Sequence, residues 1–71
     1  MKAKELTAKV PSPFGPKTKY YGCKFKVESE IYSLISADYD EVNNEMILRV
    51  DQDGESFNIY VNADAEIEIL N

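Results

Sequence analysis

Histidine and tryptophan are absent from this sequence, and cysteine occurs once, at Cys23. Without histidine, a serine or cysteine nucleophile lacks its commonest general base, and a zinc site of the usual Cys/His kind cannot be assembled. A single cysteine excludes an internal disulfide, so a reducing cytoplasm is the expected compartment. Glycine is scarce: Gly15, Gly22 and Gly54 stand apart, which leaves no glycine-rich phosphate loop. No apolar run approaches the roughly 18 residues of a membrane span, and Met1-Lys2-Ala3-Lys4-Glu5 lacks the apolar core of a signal peptide. The expectation is a protein that is not an enzyme, uses no cofactor and stays off membranes.

What is present fits a folded binding protein. The 71 residues are expected to form a single domain over 1–71, and the 44% apolar content is spread along the chain. Charge is segregated. Residues 1–27 carry seven lysines against Glu5, a balance of +6, and residues 28–71 carry twelve acids against Arg49, a balance of −11, leaving the net −5. The two halves could neutralise each other across strand pairs, or the acidic half could present a negative surface that steers a basic partner. Direct nucleic-acid binding is disfavoured, because only the first 27 residues could supply a basic face.

Period-two patterning dominates the chain and predicts an all-β fold. Leu6, Ala8 and Val10 alternate within a predicted strand over 5–10, and Pro11-Ser12-Pro13-Phe14-Gly15-Pro16 follows as a loop. Tyr21, Cys23, Phe25 and Val27 alternate with Gly22, Lys24 and Lys26, with Cys23 an inert core thiol. Residues 29–41 admit two readings. Ile31, Leu34 and Ile35 fit a helical face capped by Ser29, but the β-branched and aromatic content favours a strand, which is the expectation adopted. Met46, Leu48 and Val50 alternate, as do Phe57, Ile59 and Val61, with Asp53-Gly54 between them as a hairpin turn. After a turn at Asn62-Ala63-Asp64, Ile67 and Ile69 mark a last strand. The predicted architecture is an antiparallel meander of five or six strands, curled into a half-barrel or small barrel. Its core is expected to comprise Tyr21, Phe25, Val27, Met46, Leu48, Val50, Phe57, Ile59, Val61, Ile67 and Ile69.

Two acidic clusters invite a metal reading. Asp51-Gln52-Asp53-Gly54 has the alternating acids of a calcium loop, but Arg49 stands at the preceding ligand position and no acid closes the loop, so a plain hairpin turn is expected. Asp38, Asp40 and Glu41 are read as a solvated strand end, and no metal site is expected. Tyr20, Tyr32, Tyr39 and Tyr60 could line an interface or simply flank the core.

From Lys26 onward the order of residues resembles the phage-encoded uracil-DNA glycosylase inhibitor family. Lys26-Val27-Glu28-Ser29-Glu30-Ile31 is similar to the family's Lys-Pro-Glu-Ser-Asp-Ile lead-in to a central strand, and Ala37-Asp38-Tyr39-Asp40-Glu41 to its Ala-Tyr-Asp-Glu exit. Glu45-Met46-Ile47-Leu48 is similar to a strand bearing methionine and leucine two apart, and Ile67-Glu68-Ile69-Leu70 to the closing Ile-Lys-Met-Leu. The likeness implies a DNA mimic that occupies the groove of a host repair enzyme, binding protein rather than nucleic acid. Its carboxylates would stand at Glu28, Glu30, Asp38, Asp40 and Glu41, beside Ser29 and Ile31. Met46 and Leu48 match residues of an apolar pocket that captures a side chain of the enzyme. One departure is large: the family's acidic edge strand and the helix after it precede the matched region, where this chain has a lysine- and proline-rich segment. Either Glu28-Ser29-Glu30-Ile31 serves as the inhibitory edge, or the activity is not shared. The alternative function is a small β adaptor that pairs through a sheet edge.

Overall fold

The alternating runs of the sequence become antiparallel strands in the computed structural model, which describes residues 1–70. In chain order they are β1 (Lys9–Val10), β2 (Lys17–Thr18), β3 (Lys24–Val27), β4 (Glu30–Asp40), β5 (Glu45–Gln52), β6 (Glu55–Asn62) and β7 (Glu68–Ile69), preceded by a 3-10 helix at Ala3–Thr7. β1 and β2 form a two-stranded sheet, and the other five lie in the order β6-β5-β4-β3-β7. The fold is therefore all-β, as the periodicity predicts. The five-stranded sheet is open, with β6 and β7 as its two edges, so of the two expected forms, half-barrel or small barrel, the closed small barrel does not occur among the described residues.

β5 carries the centre of the core because it is covered on both flanks. Met46, Leu48 and Val50 are wholly buried, with Leu34 and Ala37 beside them on β4 and Phe25 and Val27 on β3. A ring row crosses this face: Phe25 to Tyr32 at 5.7 Å between centroids, and Tyr32 to Phe57 edge-on at 6.1 Å. The chain leaves β6 at one edge and must reach β7 at the other, so residues 63–67 cross the sheet. They bring Ala63 and Ile67 into the core, and the 3-10 helix adds Ala3 and Leu6. Cap and crossing segment are bonded to each other: the Ala3 amide donates to the Ala65 carbonyl at 2.8 Å, Lys4 to Ala63 at 2.9 Å, and Ile67 to Met1 at 2.8 Å. Thr18 is the buried polar residue here; its hydroxyl donates to the Leu6 carbonyl at 2.8 Å and accepts from the Tyr20 amide at 3.2 Å.

Three expectations are corrected and a fourth holds. The strand predicted over 5–10 is a 3-10 turn followed by the short β1, because Ala3 and Leu6, three apart, share one face of the turn and plug the sheet. Tyr21 is 55% exposed and outside the core, and Cys23 is only half-buried, because β3 begins at Lys24 after a turn in which Gly22 takes φ +80°. Phe57, Ile59, Val61 and Ile69 pack against the core but stay half-exposed, since each lies on an edge strand. The strand expected within 29–41 runs over Glu30–Asp40, and the helical face of Ile31, Leu34 and Ile35 does not form: Ile31, paired with Lys26, is exposed while Leu34 is buried, and the register shifts between Leu34 and Ser36. A bulge inserts one residue, so Leu34 and Ala37 both face inward although three apart, which is helical spacing produced by a strand.

Candidate functional site

The residues expected to form one negative rim are divided between the two ends of β4. Glu28 and Ser29 make the β3–β4 turn and Glu30 and Ile31 open β4, all exposed, while Asp38, Asp40 and Glu41 lie at its far end. At about 3.3 Å per residue, Glu30 and Asp38 are roughly 25 Å apart. Between the ends, the outer sheet face mixes signs: Ser36, Arg49 and Asn58 form one cross-strand row, Asp38, Ile47 and Tyr60 the next.

Two of these acids, Asp40 and Glu30, have local structural partners. Asp40 Oδ1 accepts from the amides of Val42 (3.1 Å) and Asn43 (3.3 Å), and Oδ2 from Asn43 Nδ2 at 2.8 Å, so Asp40 ties down the β4–β5 turn. These bonds, the Asn43 side chain first, hold its carboxyl below the usual aspartate value of 3.8. Glu30 accepts from Gln52 Nε2 at 3.0 Å, which joins the β3–β4 turn to the end of β5. Burial, then the charges of Glu30 and Glu28, raise the Tyr32 hydroxyl above its ordinary range. The opposed charges of the two halves of the chain meet at the cap: Lys4 and Lys2 reach Asp64 at 3.3 and 3.8 Å, and the N-terminal amine reaches Glu66 at 3.3 Å.

Asp64 offers a test of that arrangement. Its carboxyl is held low by the Asn44 side chain and by Lys4 and Lys2. As pH falls, the unfolded chain therefore takes up protons before the folded one does. The stabilisation is complete above about pH 4 and disappears as pH drops through the folded-state values of Asp64 and Asp40. The thermal midpoint should decline on acidification through that window, and Asp64→Ala should make the decline shallower.

Met46 and Leu48 have no exposed surface. Their alternation places them under the sheet, and the pocket role implied by the resemblance gives way to a core role. The tyrosines do not form a stripe either: Tyr20 and Tyr32 pack on the core, whereas Tyr39 and Tyr60 are exposed. Among the described residues, no three His, Cys, Asp or Glu side chains converge to hold a metal ion, and no helix is long and apolar enough to cross a membrane.

The β3–β4 turn has one unusual property. Glu28 and Ser29 take φ of 51° and 73°, left-handed values that a two-residue hairpin demands and that Asn-Gly satisfies at lower energy. Glu28→Asn with Ser29→Gly should therefore stabilise the fold by about 1 kcal/mol, read as a higher denaturant midpoint at unchanged slope.

A feature that the sequence reading did not single out is the free edge of β6. Eight residues long, it pairs with β5 on one side and ends the sheet on the other. Edge strands are commonly protected by lysine, proline, a bulge or an inward-pointing charge. β6 reads Glu-Ser-Phe-Asn-Ile-Tyr-Val-Asn, pairs with β5 without a register shift, and carries its one charge, Glu55, at its start. The signal was available in the sequence as alternation without a guarding charge, but only the strand order identifies β6 as an edge. Compared with family models, with curated proteins and with solved structures, the chain matches none, and the likeness to the inhibitor family rests on the residues quoted for it.

Proposed function

We propose that this protein is a non-catalytic binding module that takes up an extended segment of a partner protein along the outer edge of β6. The observation that carries this reading is the unguarded eight-residue edge, whose inner-face residues Phe57, Ile59 and Val61 are half-exposed while their β5 neighbours are fully buried. An added strand gains main-chain hydrogen bonds along the edge and covers that apolar flank. The test is an NMR titration with extended peptides of alternating apolar and polar residues. Saturable shifts at the amides of Ser56, Asn58, Tyr60 and Asn62, lost in Asn58→Pro, support the reading. Peptides that leave those amides unmoved overturn it.

A second reading, the DNA-mimic inhibitor of a uracil-DNA glycosylase, is favoured by one specific observation. Glu28 and Ser29 occupy backbone conformations that other residues adopt more cheaply, and strain of this kind clusters at functional sites. On this reading the Glu28 carboxylate is retained for a basic groove, and Asp38 and Glu41 supply a separate contact. Equimolar protein should then suppress uracil excision from a labelled oligonucleotide, more strongly at low salt. The Asn-Gly turn variant should be more stable yet weaker as an inhibitor. Undiminished excision at low salt removes this reading.

A further inference from the structure

We infer that the strand taken up along β6 is β6 of a second copy of this chain, so that two five-stranded sheets join into one continuous sheet about a two-fold axis at Ile59. The inference rests on the edge-binding reading above and names its partner.

The register follows from hydrogen-bond phase. The β5–β6 hairpin closes through Asp53 and Gly54, both at positive φ (51° and 82°), which is a two-residue turn. In such a hairpin the closing pair, Gln52 and Glu55, is hydrogen-bonded, and bonded and non-bonded pairs then alternate along the ladder. Glu55, Phe57, Ile59 and Val61 therefore aim their amides and carbonyls at β5. Ser56, Asn58, Tyr60 and Asn62 aim theirs outward. The Ala63 amide, next in the inward-facing series, bonds Asn44 at 2.9 Å, which agrees with this phase.

Two antiparallel copies can bond only if outward-facing residues meet outward-facing residues. Full end-to-end overlap of Glu55–Asn62 with itself would set Glu55 against Asn62 and so match inward-bonding with outward-bonding positions. Sliding by one residue repairs this in either direction; one slide sets the Glu55 carboxylate against apolar Val61, and the other avoids that. In the second, Asn58 lies opposite Tyr60 of the second copy, Ser56 opposite Asn62, and Ile59 opposite its own equivalent in a non-bonded pair, where side chains stand closest. Phe57 falls opposite Val61. The inner faces of the two sheets join apolar to apolar, and the outer faces polar to polar.

Charge permits the arrangement although each copy is net negative. Residues 56–62 carry no charge, and Glu55 faces Ala63 at each end of the joint, so no like charges oppose one another across the new ladder. A joint of one strand per chain falls below the roughly 1,200 Å² of a standard interface, so the dimer should be reversible and concentration-dependent.

Sedimentation of the full chain over a concentration series tests this. The weight-average mass should rise from the 8.1 kDa of one chain towards twice that value. Asn58→Pro removes an outward amide from an edge strand, where proline is tolerated, and should weaken association at least about tenfold. Cross-linking reads the register. In a Cys23→Ser background, Ile59→Cys should oxidise readily to a linked dimer, while Asn58→Cys, displaced from its own equivalent along the joint, should not. A single-chain mass at concentrations up to roughly 1 mM overturns the proposal, as does equal cross-linking at 58 and 59. If the chain stays monomeric while the extended peptides still shift the β6 amides, self-pairing fails and the edge-binding reading stands. If both measurements fail, both readings fall.

Discussion

Phe25→Ala is expected to lower stability by about 3–5 kcal/mol. Phe25 is wholly buried at the junction of three strands: it pairs in register with Tyr32 on β4 and with Ile69 on β7, and its ring meets that of Tyr32. Truncation leaves a cavity that β3, four residues long, cannot close without breaking its pairing with β7. At about 0.1 kcal/mol per residue, a chain of 71 residues has roughly 7 kcal/mol in total, so about half the stability depends on this one side chain. Urea denaturation checks the value. A loss under about 1 kcal/mol would mean that the row of rings does not organise the core.

Leu6→Ala is expected to cost about 2–5 kcal/mol, although Leu6 lies in a 3-10 turn and outside the main sheet. It is fully buried and reaches the same core as Leu34 and Leu48. The cap and residues 63–67 bring Leu6, Ala3, Ala63 and Ile67 against the inner face of the open sheet. Removing Leu6 should therefore also loosen Thr18, which is bonded to the Leu6 carbonyl. Paired measurements of Leu6→Ala, Thr18→Val and the double variant should show less than additive losses. Additive losses would separate the cap from the β1–β2 hairpin.

The sequence revealed the strands wherever period two was uninterrupted and flanked by turn chemistry. Met46, Leu48 and Val50, then Asp53-Gly54, then Phe57, Ile59 and Val61 form a complete hairpin statement, and the structure follows it residue for residue. It was less legible where another period intruded. The bulge at Ile35 broke the alternation of β4 and set Leu34 and Ala37 on one face three apart, and in the cap the alternation of Leu6, Ala8 and Val10 hid the three-residue spacing of Ala3 and Leu6. For the candidate surfaces the difficulty lay in topology. Acids ten residues apart in sequence are neighbours in a loop but stand at opposite ends of an eleven-residue strand. Whether a residue such as Ile59 is covered on one flank or two depends on strand order, which alternation does not encode.

The bond between the N-terminal amine and the Ile67 carbonyl spans 66 positions of the chain. It gives the molecule two folding regimes. Hairpins β3–β4, β4–β5 and β5–β6 join neighbours in sequence and can form on the microsecond scale of local pairing, about 1–10 μs. Cap, crossing segment and β7 need both ends of the chain to meet, a closure whose entropy must be met before any contact rewards it. The meander is therefore expected to form first, with the cap the last part to assemble and the first to open. Amides of Ala3 and Lys4 should exchange with solvent through this partial opening, well before those of β5, which wait for global unfolding.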